Sequence, residues 1–501
     1  MADGTRQVVQ LGFFSNAFAD SRAMQLLGVR GHERVSQLFE LDLLLSRKGP
    51  PLTEAELQEI VRQPCVVALG RREADLVHGM LVAIEHHDSA RHTHPVYTAR
   101  MVPQVALLDM GERCAIYTDT TIPKMVETIL TAHGLKAGVH FDIMVGQDVK
   151  SPVREYVVQY RESDWRFIER WLEHEGFFYW FEHTKKGAKL VIADQNDDAT
   201  ALAEPKNIAY RERNNLATGG EATIWDFTTI QKRVPQKVTV VDYNYRRPAD
   251  LLIATETVDE GGFGHVIHYG EHIKDRDVGT ALAKLRSEMH AAERRIVRGT
   301  TDCSRFRVGH VFTLESHHVD GNNGDYLITS VEHTAGLEFA AITEPDRRIG
   351  DEQPHHYKAR FEATPAGVPY RPARRTPWPR VHGLLNGHIE ADTAGDYAQI
   401  DSKGRYKVKM PFDLGNRKGL PSSRWIRMAQ SYAGAGYGQH FPLHKGTEVL
   451  VAHIDGDPDR PMIVGAVPNF ATASPVTDAN ATQSVTQTAS GIRVEYEDRQ
   501  S

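Results

Sequence analysis

Cysteine is scarce in this 501-residue chain: Cys65, Cys114 and Cys303 stand far apart, with no CxxC pair. An odd, sparse set suits a reducing compartment and excludes a disulfide framework. Long apolar runs are missing too. No stretch approaches the roughly 20 residues that a membrane helix needs. Met1 to Gln10 lack the basic stretch and apolar core of a cleaved signal. If the protein leaves the cell, the expectation is that it does so without one. The net charge is only -7, so nothing sequence-wide draws the chain to nucleic acid or acidic membrane. HExxH and GxxxxGK[ST] are absent, which removes the best-marked zinc and nucleotide sites.

The length is too great for one core and implies three or four domains. Most of the chain reads as β. Short alternating runs at Leu38–Leu45, Val77–Glu85, Val238–Tyr245 and Val308–Leu314 are bounded by Gly, Asp, Asn and Pro. Helices are fewer. Thr53–Val61 opens on a capping box, Thr53 with Glu56. Ile122–His133 has Pro123 in its first turn and Gly134 behind it. Val278–Arg295 is long and amphipathic.

The clearest local unit runs from Ser163 to Asp194. Ser163 suits an N-cap and Asp164 the positive end of a helix. Trp165, Ile168 and Leu172 recur at helical spacing, and Gly176 suits the left-handed stop. Phe177–Phe181 then reads as a buried strand, with a turn at Lys185–Gly187 and a return at Lys189–Ala193. This predicts a helix packed on a hairpin. A faint internal echo links Leu81–His86 (LVAIEH) with Ile328–His333 (ITSVEH). It suggests two related β-domains within the first 345 residues.

Pro345–Arg380 carries seven prolines. Proline cannot donate to a sheet ladder, so the segment is read as an extended surface linker. Val381–Pro468 then shows strand candidates at Val381–Ala391, Tyr397–Ile400, Arg405–Pro411, Arg424–Ala429, Glu448–Ile454 and Met462–Val467. Turns are expected at Asp401–Gly404, Leu414–Asn416 and Asp455–Pro461. Short strands at this spacing suit a small Greek-key barrel such as an OB-fold. After an Ala/Thr/Ser/Asn/Gln-rich stretch, Ile492, Val494 and Tyr496 alternate with charged residues. One such strand cannot bury its apolar face alone and needs a partner.

Several motifs carry a resemblance over nearly the whole chain. They are the run Tyr160–Gly176 with its aromatic strand, Phe361-Glu-Ala-Thr-Pro365, and Pro369-Tyr-Arg-Pro372 on to Pro377. Val381-His-Gly383, Trp425–Gln430, Gly446–Val451 and Gly456–Pro461 follow in order. The chain is similar to the VgrG family of type VI secretion, related to phage tail hub and spike proteins. The resemblance implies a mainly β fold with α+β subdomains. Its parts would be a hub of two tube-like β-barrels at 1–345 (helix–hairpin unit at 151–200), a Pro-rich linker at 346–380, an OB-fold neck at 381–468 and the start of a trimeric β-helix needle at 469–501. It implies a homotrimer on a baseplate, matched to an Hcp-like hexameric tube and a PAAR-like tip protein, carrying effectors. Such a protein would be made in the cytoplasm, then secreted or injected, touching the target membrane only in passing. Ile492, Val494 and Tyr496 would face the threefold axis. No enzyme activity, cofactor, metal or nucleic acid is implied. The chain stops after one or two strands of the needle, where many relatives continue.

Four other constellations each have a functional and a bland reading. His86-His87, His92 with His94, His317-His318 and His355-His356 invite a metal, but neighbours on a strand point to opposite faces. Glu169, Glu173 and Glu175 near His174 invite a peptidoglycan hydrolase. Their bland reading is the solvated face of one helix. Lys407, Lys409, Arg424 and Arg427 invite single-stranded nucleic acid or sugar on the OB unit, but Asp396, Asp401, Asp455, Asp457 and Asp459 offset them. Ala433–Gly438 superficially resembles a phosphate loop and is read as a flexible barrel loop, since no Lys-Ser/Thr follows.

Overall fold

A computed structural model describes residues 8–18, 20, 23–88, 94–146, 151–212, 221–336, 355–391, 395–414 and 424–499. The chain divides into two compact units. The first holds 1–110, 121–152 and 163–377. The second holds 111–120, 153–162 and 378–501.

In chain order the strands begin with β1 (Val8–Val9), β2 (Gly12–Ser15), β3 (Met24–Arg34), β4 (Glu40–Arg47), β5 (Pro64–Ala68), β6 (Leu76–His87) and β7 (Val96–Val102). Next come β8 (Arg113–Thr120), β9 (Phe141–Met144), β10 (Arg154–Glu162), β11 (Phe178–Thr184), β12 (Gly187–Ala193), β13 (Thr200–Ala201), β14 (Asn207–Tyr210) and β15 (Thr223–Gln231). They continue with β16 (Lys237–Asp242), β17 (Leu252–Thr257), β18 (His265–Tyr269), β19 (Arg295–Thr301), β20 (His310–Glu315), β21 (Gly324–Gly336) and β22 (His355–Pro365). The last are β23 (Leu385–Glu390), β24 (Tyr406–Lys409), β25 (Trp425–Ile426), β26 (Ala433–Gly434), β27 (Tyr437–Gly438), β28 (Glu448–His453), β29 (Pro461–Ala466), β30 (Gln483–Gln487) and β31 (Arg493–Glu497).

Four α-helices punctuate them: α1 (Glu54–Ile60), α2 (Ile122–Ala132), α3 (Asp164–Glu175) and α4 (Arg276–Ala291). The capping box of α1 forms in both directions between Thr53 and Glu56. Helix α4 stops four residues short of the expected end. Its cap is Asp275, which accepts from the Val278 N–H at 2.9 Å, and Arg295 already opens β19.

One large sheet organises the first unit. Its order is β1-β22-β19-β15-β14-β20-β21-β3-β4-β7-β6-β5-β2, and β22 also pairs with β21. That second pairing closes β22, β19, β15, β14, β20 and β21 into a six-stranded ring, which removes free edges. Phe306, Phe312 and Phe361 are buried against its strands, with ring centroids 5.0–5.5 Å apart. Six further strands, β3-β4-β7-β6-β5-β2, follow through the β21–β3 pairing, while β1 adds to β22 and β13 to β20.

The internal echo has a structural counterpart. Strand β6 has a register shift against β7 between Leu81 and Ala83. Strand β21 has one against β22 between Ile328 and Ser330. Both fall at the same point of the six-residue echo, so each half carries a bulged long strand in the same place.

Two smaller sheets attend this one. The order β11-β12-β9 adds a parallel strand to the expected helix–hairpin unit. The order β17-β16-β18 is covered on one side by α4, through Val240, Leu252, Ile273, Leu282 and Ala283.

The expectation of a linker at 346–380 needs correction. Residues 346–354 lie outside the described set, but His355–Pro365 is a sheet strand paired with β1, β19 and β21. The prolines bracket it, at Pro354 and Pro365, and leave ten consecutive residues free to donate.

The second unit is built on a five-stranded sheet, β25-β24-β23-β28-β29. A parallel bridge from Met428 to Ile463, with Ile463 N–H to Arg427 O at 2.9 Å, joins its two ends into a small closed barrel. The expected strand at Tyr397–Ile400 is reduced to isolated bridges, Tyr397 with His444 and Ile400 with Tyr406. The antiparallel ribbon β8–β10 belongs here as well. Its Ile116, Val158 and Tyr160 share a core with Ile389, Tyr406, Val449 and Ile463.

Candidate functional site: a clamped helix, an OB barrel and a terminal hairpin

Helix α3 forms as its sequence dictates. Ser163 accepts from the Arg166 N–H at 3.1 Å, and Gly176 closes the helix at φ 74°. The solvated face expected for its acidic residues does not exist. Glu173, His174 and Glu175 are all buried, and Arg166 is the one exposed residue of the helix. The reason is a second covering layer, the strap that follows β22.

After the Ala366 N–H, which donates to Asp325 O at 3.0 Å, that strap, Ala366–Pro377, is tied down mainly by side chains. Asn196 Nδ2 donates to Ala366 O at 2.9 Å and Val368 O at 2.6 Å, and its Oδ1 accepts from the Tyr370 N–H. Arg371 pairs with Glu288 at 2.7 Å and also donates to Gly176 O and Asp194 O. Glu173 accepts from the N–H groups of Arg375 (3.0 Å) and Thr376 (2.9 Å) and from the Thr376 hydroxyl (3.0 Å). Arg374 reaches Glu271, which also holds Arg286 at 2.8 Å.

The electrostatics follow from burial. Burial pushes the Glu169 carboxyl up to about 7, against a 2.5 Å bond from the Tyr179 hydroxyl. Burial also raises Glu173, partly offset by the strap's donors. Burial would raise Glu271 as well, but Arg286 and Arg374 outweigh it and hold it at about 2. A hydrolase needs one carboxyl free to meet a sugar or a water. Glu173 instead spends its acceptor sites on the strap, so this carboxylate acts as an anchor.

Cutting that anchor has a measurable consequence. Glu173→Ala removes three hydrogen bonds to a charged acceptor, each of about 1.5–3 kcal/mol. Local opening of the strap should expose the bonds after Arg374 and Arg375. Trypsin is expected to cut there at least about ten times faster than in the parent chain, since about 1.4 kcal/mol is tenfold. An unchanged digestion rate, followed by mass spectrometry, would show that Glu173 does not hold the strap.

The histidine pairs separate by context. His86 stacks on Tyr97 at 4.8 Å, while His87 bonds the Thr98 hydroxyl at 2.8 Å. His317 and His318 stack on each other at 4.4 Å, contrary to the opposite-face expectation. They lie in a turn, where strand alternation does not apply. His92 lies outside the described residues, as do the side chains of His355 and His356. Within either unit taken alone, no three His, Cys, Asp or Glu side chains of the described residues converge at ligation distance.

On the OB barrel two of the basic residues, Arg424 and Lys407, have partners within the unit. Arg424 pairs with Asp119 (2.8 Å) and Glu155 (3.0 Å) on the β8–β10 ribbon. Lys407 lies over the Trp425 ring at 5.3 Å. Asp401 pairs with Arg405, and Asp455 with Arg380. Among the described residues, Arg424 and Lys407 are thus not presented as a free basic stripe for a phosphate backbone to follow. Ala433–Gly438 is an ordered two-rung hairpin, not a flexible loop. A Cβ at Gly434 would sit 2.2 Å from the Tyr437 ring, so that glycine exists to seat a tyrosine.

The last element among the described residues is the antiparallel hairpin β30–β31. Val494 stands opposite Thr486 and Tyr496 opposite Ser484. Ile492, Val494 and Tyr496 are 67%, 48% and 67% exposed. Their partner strand comes from the Ser/Thr/Gln-rich stretch and offers no apolar cover.

Sequence reasoning missed the strap anchors and the ribbon's place in the second unit. The signal for the first was a cluster, Arg371, Arg374 and Arg375, inside a proline-rich segment facing an acidic helix. The second had no local signal.

Residues 32–338 match the family model described as phage tail baseplate hub (GPD). Residues 396–467 match the type VI secretion system/phage-baseplate injector OB domain. The type VI secretion system spike protein VgrG4b of Pseudomonas aeruginosa is 30% identical over 92% of this chain and 57% of its own length. VgrG5 of the same organism is 29% identical over 88% of this chain and 55% of its own length. The chain thus spans little more than half of these curated relatives. An actin cross-linking toxin VgrG1 of Vibrio cholerae is 28% identical over 80% of the chain but 36% of its own length. Among solved structures, the E. coli c3393 protein, a type VI secretion component similar to T4 phage gp27 and gp5, superposes with TM-score 0.64. It is 22% identical, covering 91% of this chain and 99% of that one. A chain of the Francisella PdpA–VgrG complex gives TM-score 0.60 at 8% identity, over 98% of this chain and 76% of that one. These two structural likenesses concern the fold.

Proposed function

The chain belongs to the phage tail baseplate hub family, of the VgrG kind in which an injector OB domain follows the hub, and from that premise we propose that it forms the hub and neck of a homotrimeric spike in a contractile injection apparatus. The observation that carries this is the uncovered stripe of Ile492, Val494 and Tyr496 behind an ordered hub and a closed OB barrel. In this reading the neck is 381–468, and 469–501 is the root of a needle. Three stripes meet on one axis, and each buried side chain contributes about 1.5–3 kcal/mol to assembly.

The duplicated bulged strand supports the rest of the arrangement. Two related half-hubs per chain give six around a trimer, which suits a hexameric Hcp-like tube. A PAAR-like tip, baseplate components and effector cargo are the further partners proposed. One structural relative is held in a complex with PdpA, which fits a spike that carries other proteins. We place the protein at a cytoplasmic baseplate before firing and in the target afterwards, with only transient membrane contact. Sheath contraction elsewhere supplies the force, and this chain transmits it without chemistry. The toxin-named relative has nearly two thirds of its length outside the match, and its activity is not proposed for this chain.

Light scattering on the purified chain tests the reading. The parent is expected at three times the monomer mass, and Ile492→Asp with Val494→Asp at one. A monomeric parent, or a double variant that stays trimeric, overturns the assigned role of this stripe. Circular dichroism of the variant checks that both units remain folded.

A further inference from the structure

We propose that the seam where β3 meets β21 is an acid-sensitive joint, closed at neutral pH and opening locally, ahead of the six-stranded ring, as the surroundings fall towards about pH 5. This inference does not depend on the spike reading.

The seam is the pairing through which the ring joins the run β3-β4-β7-β6-β5-β2. Val331 pairs with Glu33, Glu332 with His32 and His333 with Gly31. Behind it lies a buried polar pocket. Glu33, Arg307, His333 and Tyr357 are each at most 4% exposed. His333 Nε2 lies 3.0 Å from Glu33 Oε1, and its Nδ1 2.6 Å from the Tyr357 hydroxyl. Arg307 Nε stands 3.6 Å from the same Glu33 oxygen.

The sensitive part is His183 on β11. Its Nδ1 accepts the backbone N–H of His78 on β6 at 3.1 Å. The neutral ring therefore carries its proton on Nε2. That nitrogen is shut from solvent and has no hydrogen-bond partner among the described residues. Protonation would put an N–H on Nδ1 as well. A donor would then face the donating His78 amide, and this backbone bond would be lost. The new cation would also have to share a pocket that already holds Arg307.

The facing charges do not relieve this. His183 sees Glu33 from β3, His78 from β6, and Arg307 and His310 from the segment entering β20. His333 sees Glu33 and His32 from β3, Arg307, and Tyr357 from β22. His310 sees Arg307, Glu182 and Glu33, and His78 sees Glu73. Glu33 is the carboxylate that faces His183, His310 and His333 alike. Burial opposes its charge, but Arg307 and His333 hold it down at about 2, so it stays ionised and already has its cation.

The sign is clear. Burial pushes His183 down to about 3, and lowers His78, His310 and His333 in the same sense. Between the unfolded value of about 6.5 and those folded values, the opened state binds more protons. The closed joint is therefore fully favoured above about pH 6.5 and loses ground as pH falls.

Hydrogen exchange on the full chain tests this, with rates corrected for the chemical pH dependence. Between about pH 7.5 and about pH 5, amides at Gly31–Arg34 and Ser330–Thr334 are expected to lose protection by about tenfold or more, while β19 and β20 change less. In His183→Gln, whose amide oxygen still accepts the His78 N–H but cannot titrate, the loss should shrink to a few-fold. Constant seam protection in the parent overturns the joint even if the variant fails to fold. An equal loss in parent and folded variant overturns the role of His183.

Discussion

Glu271→Ala is expected to lower the stability of the first unit by about 3–5 kcal/mol. Arg286 is 1% exposed and Glu271 5%. Their 2.8 Å contact sets one charge against the other in a place where water cannot. Removing the carboxylate leaves a guanidinium stranded, and it also frees Arg374 of the strap. The size of the loss measures that stranding, not the worth of the pair. Replacing both partners by apolar residues, Glu271→Leu with Arg286→Met, should therefore recover most of it. Urea unfolding of the parent, both single variants and the double variant gives the cycle. A single variant within about 0.5 kcal/mol of the parent would refute the buried-pair account. The pH dependence has a definite sign as well. Glu271 is depressed from its unfolded value of about 4.3 to about 2. Its contribution is present above about pH 4.3 and lost as pH falls through 2, and Glu271→Ala should lack that component of acid unfolding.

Gly309→Val is expected to cost about 2–5 kcal/mol. Gly309 has φ 75°, donates to Ile328 O at 3.0 Å, and lies against Trp180. A Cβ there would stand 2.2 Å from Trp180 Cγ, and Trp180 is fully buried. Two penalties add. A β-branched residue in the left-handed region is strained by its own backbone. The indole has no room to retreat, so the neighbouring strands must shift. Thermal unfolding followed by tryptophan fluorescence should show the first unit melting well below the parent. Gly321→Val is the control: a Cβ there meets nothing within 4 Å, and its φ lies outside the left-handed range.

Much of the fold was legible because its signals are local. The capping box at Thr53, the aromatic strand after Gly176 and the proline at the start of α2 each fix their element within a few residues. The OB barrel was legible from turn spacing. The strand at His355–Pro365 was not, because proline count was read over the whole segment while sheet pairing depends on where the prolines stand. The carboxylates of α3 were misread as solvated for a related reason. Helical periodicity shows that one face is apolar, but it does not show whether the other face will be covered by a segment some 200 residues away.

The sequence by itself determined the mainly β class, the hub and OB order, and an apolar stripe at Ile492, Val494 and Tyr496 that asks for a partner. These depend on short-range patterns and on motifs that survive in order along the chain. Only the tertiary structure decided that β22 closes a ring with β21, that β8 and β10 pack with the OB barrel, and that Glu173 is a strap anchor rather than a surface acid. Only it put His183 where the single acceptor it offers is taken by a distant amide. The physical reason is the same in each case. Closure, covering and burial are set by contacts between residues far apart in sequence, and no local pattern encodes which distant group will arrive.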